Sequence, residues 1–294
     1  MTTLSPTPVE RLLALFDLEQ VGPDRFRGYS APSGHPRIYG GQVVAQALAA
    51  AARTMPSERL AHSLHAYFLL AGDPNIPIDF EVERLHEGGS FSARRSAAKQ
   101  NGRTILTLVA SFQIVEAGLE HQIDAPQVEP PENLAPTGVL AERFQSFLPR
   151  AARERLEEHS ALDMRLVEPE GLLGRERVGT KRQYIWFRIA DPLPDDDATH
   201  RLVLAYLSDM TLLSTALAAH GRTVFDHDLK VASLDHALWL HRPFRADEWL
   251  LFAQQSPNAS GARGFARGEI FSRDGRLVAS VAQEGLMRVV SPSR

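Results

Sequence analysis

The sequence predicts an α+β protein made of two tandem copies of one unit, each a long buried helix wrapped by a curved antiparallel β-sheet. Three observations carry this reading. A helical stretch near the start is apolar on nearly every side, and strand-like segments joined by turn pairs follow it. The same helix-then-strands order then returns about 170 residues later.

Glu10 to Leu18 sets Leu12, Leu13, Phe16 and Leu18 at helical spacing. Tyr39-Gly-Gly opens a second helix, Gln42 to Met55, mostly Ala, Val and Leu with two glutamines. A helix of that kind is wrapped by other elements rather than laid on a surface. Ser63–Leu70, Ile78–Leu85, Phe91–Gln100 and Thr104–Gln113 read as the wrapping strands. Gly88-Gly89 and Asn101-Gly102 separate them, the second as a type I′ hairpin pair. Ala125–Pro136, with four prolines and two glutamates, reads as a linker crossing the surface. Leu140–His159 reads as a charged outer helix broken at Pro149. Strands resume at Met164–Val167 and Gln183–Ile189, and His200–Ala219 is expected as a second strongly apolar helix.

Echoes then run in order. His65-Ala-Tyr-Phe-Leu is matched by His236-Ala-Leu-Trp-Leu, Ser92-Ala-Arg94 by Gly261-Ala-Arg263, and Asn101-Gly-Arg103 by Asp274-Gly-Arg276. Ala110-Ser-Phe-Gln113 is matched by Ser280-Val-Ala-Gln283, and Ala45-Gln-Ala-Leu48 by Ser214-Thr-Ala-Leu217. A period this long means a duplicated domain rather than a solenoid. The expected division is a first repeat over 1–115, a linker with a surface helix over 116–160, and a second repeat over 161–294. A buried helix wrapped by a curved antiparallel sheet is the hot-dog fold, so the chain is read as a double hot-dog. Two such copies can pair their sheets edge to edge, which protects two strand edges from aggregation.

Composition narrows the function classes. The chain has 294 residues, 44% of them apolar and 23% charged, as in ordinary globular proteins. A net charge of −4 argues against nucleic acid as a partner, because phosphate neutralisation needs a basic surface. With no cysteine, disulfides, thiolate metal sites and thiol nucleophiles are all excluded. No signal h-region or membrane span is read, the most apolar run (Val43–Ala52) being short and interrupted by Gln46. A cytoplasmic location is expected, with no metal and no cofactor. Gly-x-Ser-x-Gly, the nucleophile elbow of serine hydrolases, does not occur in the chain.

Longer stretches carry a family resemblance. They are Gly40-Gly-Gln-Val-Val-Ala-Gln-Ala-Leu48, His62-Ser-Leu-His-Ala-Tyr-Phe68 and Ser90-Phe-Ser-Ala-Arg94 in the first half. In the second they are Tyr206-Leu-Ser-Asp209, Leu234-Asp-His236, His241-Arg-Pro-Phe244, Ala262-Arg-Gly-Phe265 and Gln283-Glu-Gly285. On these the sequence resembles the acyl-CoA thioesterase II family of double hot-dog enzymes, from about Leu12 to Arg288. The resemblance implies hydrolysis of medium- to long-chain acyl-CoA to free fatty acid and CoA. It also implies a homo-oligomer formed through the sheets. It further implies that Asp209, Ser233 and Gln283 supply a carboxylate, a hydroxyl and a carboxamide that together hold the attacking water. Ser233 stands where many members carry Thr; it keeps the hydroxyl and gives up a stiff χ1.

Those residue types suit the chemistry. A thioester carbonyl is electrophilic enough for an oriented, partly deprotonated water, so no covalent nucleophile is needed. An ionised Asp can take the proton, while Ser and Gln fix the water's lone pair on the carbonyl carbon. The oxyanion then needs fixed N–H donors, which a helix N-terminus exposes; Gly41 and Gln42 are the candidates. By the repeat, Gly40 falls opposite Asp209, His62 opposite Ser233 and Gln113 opposite Gln283. One active site per chain is therefore expected, between the copies, with His62 a possible further contributor. Arg94, Arg95, Arg242, Arg263 and Arg267 are either contacts for the CoA phosphates or solvated surface charges. Two alternatives stay open: a non-catalytic acyl-CoA-binding or scaffold protein, and an enoyl-CoA hydratase using Asp235-His236. In the second, adjacent strand residues face opposite ways.

Overall fold

Alanine builds the first buried helix. It has the highest helix propensity, and its short side chain lets strands approach closely. After α1 (Pro8–Ala14) and the hairpin β1 (Glu19–Gly22) and β2 (Arg25–Gly28), α2 runs over Gly40–Ala52, with every residue from Gly41 to Ala51 buried. The protein, seen here as a computed structural model, is described over residues 6–30, 36–137, 139, 161–168 and 181–290. The expected surface helix at Leu140–His159 lies outside those residues.

Strands β3 (Leu60–Phe68), β4 (Ile78–Glu87), β5 (Phe91–Gln100) and β6 (Arg103–Gln113) curl round α2, close to their expected bounds. Asn101 and Gly102, at φ 50° and 73°, make the expected hairpin tip between β5 and β6. The second half supplies β7 (Leu162–Leu166), β8 (Arg182–Ile189), α3 (Asp197–Ser208), α4 (Leu212–Ala218), β9 (Leu229–Ser233), β10 (Asp235–Leu240), β11 (Leu250–Ser260), β12 (Arg263–Ser272) and β13 (Leu277–Val289). All thirteen strands among the described residues join one sheet, ordered β1-β2-β4-β5-β6-β3-β10-β13-β12-β11-β8-β7, with β9 beside β13. The halves meet edge to edge where β3 pairs antiparallel with β10, from Tyr67↔Asp235 to Ser63↔Trp239. The segment between the halves packs back on the second one. Trp186 Nε1 donates to Glu129 O (2.9 Å), and Ala125, Val128 and Leu134 pack against Trp186, Trp249, Leu251 and Phe271.

Two expectations need correction. The single helix expected over His200–Ala219 is broken at Asp209, which caps α3 at φ −81°, ψ −9°, before Thr211 starts α4. The break redirects the chain: α3 packs on α2, while α4 enters the concave face of β11–β13. Together they are long and apolar enough by composition to pass for a membrane span, which the sequence reading overlooks, yet most of that stretch is buried inside the protein. The repeat also has a different register from its echoes. His65 pairs with Ala237 across the junction, with Val109 on one side and Ala282 on the other. Counted outward from there, His236 corresponds to Leu64, Gln283 to Ala110 and Ser233 to Ala61. His65 is exposed and His236 fully buried, as a one-residue slip between them requires.

Candidate active site

The site forms where three ends meet. Ser233 closes β9, and the next residue, Leu234, leaves the strand to give its N–H to Glu284 O (2.9 Å). Gln283 stands beside that carbonyl in β13, paired with Ala266 of β12. Asp209 comes from the break between α3 and α4, and it and Gln283 are 8% and 2% exposed. Gln283 Nε2 donates to Asp209 Oδ1 (2.9 Å) and to Ser233 Oγ (2.7 Å), and Ser233 Oγ donates to Asp209 Oδ1 (3.3 Å). The three expected residues are thus in mutual contact, although they lie far apart in sequence.

The first half brings α2 to this point. A Cβ built on Gly40 would fall 2.6 Å from Asp209 Oδ2, and one on Gly41 would fall 2.3 Å from Tyr206 O. Glycine is what lets the helix start lie against α3. Tyr39 locks the approach, its hydroxyl donating to Tyr206 O (2.7 Å) and its ring meeting Tyr206 edge-on at 5.0 Å. Gly40 and Gly41 are the first two residues of α2, whose N–H groups have no carbonyl of their own helix to meet. Gln42 differs: its N–H goes to Tyr39 O (3.1 Å), and its side chain to Ser30 Oγ (3.0 Å) and Gln46 Oε1 (3.3 Å). Of the two residues expected as oxyanion donors, Gln42 thus directs its N–H to a carbonyl, while Gly41 lies at the open start of the helix.

His62 does not join the trio. It sits at a register shift in β3, its Nε2 2.8 Å from Ser111 Oγ and its ring edge-on to Phe91 at 5.7 Å. Phe68, at the other end of β3, gives its N–H to Leu234 O beside Ser233. At ~3.3 Å per residue, those ends are about 20 Å apart. Burial, and then the nearby Arg201 cation, holds His62 below the ordinary histidine pKa. Gln113 is a rim residue at the end of β6, donating to Glu116 (3.2 Å).

His236 is the residue that sequence reasoning undervalued. It is fully buried, with Nδ1 2.9 Å from Gln283 Oε1 and Nε2 2.8 Å from Ser208 Oγ. Its neighbour Asp235 faces the other way and accepts the Glu284 N–H (2.6 Å), so the two form no dyad. Among the arginines, Arg94 is fully buried and bound to Thr54 Oγ1 (2.8 Å), Thr54 O and Glu87, which makes it a brace rather than a phosphate contact. Arg95 and Arg263 pair at the surface with Glu83 (2.6 Å) and Glu284 (2.9 Å).

Two helix-and-sheet units sharing one continuous sheet, with a polar trio at their junction, define the chain as a double hot-dog protein. A crystal structure from Alicyclobacillus acidocaldarius described as having the hot dog fold matches 95% of this chain and 98% of its own at a TM-score of 0.76, and at 20% identity it speaks for the fold alone. Family models supply the rest: residues 29–113 match the acyl-CoA thioesterase N-terminal domain, and residues 156–286 match acyl-CoA thioesterase. Acyl-CoA thioesterase 2 of Haemophilus influenzae is 41% identical, covering 95% of this chain and 98% of the relative. The crystal structure of acyl-CoA thioesterase II from Mycobacterium marinum is 41% identical at a TM-score of 0.79, covering 95% and 99%. The chain belongs to the acyl-CoA thioesterase family and is a thioester hydrolase acting on acyl-CoA. That sets aside the hydratase and the purely binding alternatives.

Proposed function

We propose that the enzyme hydrolyses medium- to long-chain acyl-CoA by direct attack of a water held by Asp209, Ser233 and Gln283. The observation that carries this reading is the Gln283 amide bridging Asp209 and Ser233 beside the start of α2. Asp209 takes the water's proton as general base, a role that contributes roughly 10²–10⁴-fold. Ser233 and Gln283 fix the water's direction. The thioester oxygen, as it becomes an oxyanion, lies against the Gly41 N–H at the positive end of α2. Collapse of the tetrahedral intermediate expels the CoA thiolate, and no acyl-enzyme forms. The acyl length is read from the family resemblance. Thiol release from a series between butanoyl- and hexadecanoyl-CoA tests it, together with intact-mass measurement of quenched enzyme. Rates highest on the middle and long substrates, with unmodified enzyme throughout, are expected. An acyl adduct on Ser233 or Asp209 would overturn the water mechanism.

We also propose that the chain works as a homo-oligomer joined through the outer sheet face. Exposed Tyr67, Val109 and Trp239 on the neighbouring strands β3, β6 and β10 support this. Light scattering should report an oligomer that Trp239→Glu weakens; a monomeric wild type would contradict it.

A further inference from the structure

Gln283 is the pivot of the trio, and its amide serves the site in one orientation only. With both N–H groups given to Asp209 and Ser233, its Oε1 needs a donor elsewhere. Turned over, the amide would set Oε1 against the Asp209 carboxylate and repel it. The choice is made behind Gln283, where His236 Nδ1 lies 2.9 Å from Oε1 and must carry the hydrogen. In the neutral ring Nε2 is then an acceptor, and the buried Ser208 hydroxyl at 2.8 Å supplies its donor. A doubly protonated ring keeps the same Nδ1–H, with Ser208 turning its hydrogen to Ala205 O (3.1 Å). Either way, Gln283 keeps its nitrogen toward the carboxylate.

The first half shows what the fold alone accepts at these positions. There Leu64 stands in the place of His236 and Ala110 in the place of Gln283, both buried. Two apolar residues close that sheet as well as the polar pair closes the other. The polar pair occurs in the half that also carries Asp209.

We propose that His236, oriented by Ser208, is a positioning residue for thioester hydrolysis, locking the Gln283 amide with its nitrogen on Asp209 and Ser233. The proposal rests on the water mechanism above. Its test is kcat and KM for His236→Leu and His236→Asn, in the wild type and in Gln283→Ala, with Asp209→Asn alongside and melting temperatures for all. Leucine is the residue the first half already buries at the equivalent place, and the asparagine amide can put an N–H near the position of Nδ1. His236→Leu should lower kcat on the order of 10- to 10²-fold at unchanged KM, as loss of alignment does. His236→Asn should recover most of it, and His236→Leu should cost nothing further in Gln283→Ala. Nitrogen-15 histidine NMR of the wild type should show the ring protonated at Nδ1.

Wild-type kcat in His236→Leu would overturn the proposal. So would equal losses in both variants that track melting temperature, or a full additional loss in the Gln283→Ala background. If His236→Leu does not fold, the Asn variant and the NMR decide, since a neutral ring protonated only at Nε2 contradicts the lock. Near-normal turnover in Asp209→Asn strikes the water mechanism itself, which separates that failure from a failure of the histidine alone.

Discussion

Gly40 is the place where a single methyl group should separate activity from stability. An alanine there would put its Cβ 2.6 Å from Asp209 Oδ2 and 3.0 Å from the Phe68 ring. Real Cβ contacts below 3.0 Å essentially do not occur, so the carboxylate must retreat by at least about 0.4 Å. The backbone gives no resistance, because Gly40 has no left-handed φ and begins a helix, where alanine is favoured. Misplacing a reacting group by ~1 Å costs about 10²-fold, so Gly40→Ala should lower kcat on the order of 10-fold or more. Its melting temperature should be at or above that of the wild type. The neighbouring Gly41→Ala behaves differently, since its Cβ would meet Tyr206 O at 2.3 Å, and backbone cannot step aside. That variant should lose stability first. The assay is thiol release under saturating acyl-CoA with parallel thermal melts. Gly40→Ala with wild-type kcat would refute the placement of Asp209 against the helix start as a catalytic requirement.

Other predictions follow from the same geometry. Ser233→Thr should stay active and Ser233→Ala should lose much of its kcat, because the hydroxyl and not the methyl binds Asp209 and Gln283; steady-state kinetics decides. Gln283→Ala should cost about 10²-fold in kcat, while Gln113→Ala, a rim residue held by Glu116, should leave it near normal. Stability should fall with acid below about pH 6.5, because His62 and His200 are both held under the ordinary histidine value by burial first. In that window the unfolded chain binds protons that the folded protein refuses, so the loss grows as pH drops. At His200 the refusal has a visible cause: Nδ1 accepts the Ala246 N–H (3.1 Å). His200→Asn offers an amide oxygen there and does not titrate. Its melting temperature should therefore drop less between pH 7 and pH 5 than the wild type's.

Much of this architecture is legible in the sequence, because burial writes strong patterns. The all-apolar α2, the Asn101-Gly102 hairpin and strands β3 to β6 follow from periodicity and turn chemistry. The hairpin β1–β2 does not, since its strands are only four residues long, β1 is almost wholly exposed, and the alternation of β2 spans just Arg25 to Gly28. The duplication is visible, but its register is not. Residue identity drew His65 onto His236 and Gln113 onto Gln283, whereas strand pairing sets Leu64 and Ala110 there. The turn from Phe271 to Leu277 is one residue longer than its counterpart from Lys99 to Thr104, so no single offset aligns the two halves. The trio was readable only through family motifs, because nothing local marks an Asp at a helix break or a Gln inside a strand as reactive. His62 looked promising by its place in a motif, yet it stands at the far end of β3 from the trio. His236 looked like core filling, and its role becomes visible only once Gln283 is seen on its ring nitrogen.

The most direct measurement of the central claim is the turnover number of Asp209→Asn on a saturating acyl-CoA. Asparagine keeps the size of the side chain and an oxygen able to accept from Gln283 Nε2 and Ser233, so the fold and substrate binding should persist. What it removes is the capacity to take a proton from the bound water. The account predicts kcat lowered by about 10²-fold or more, with KM and melting temperature near those of the wild type. Turnover within a few-fold of the wild type would contradict it, because the water would then be activated without Asp209.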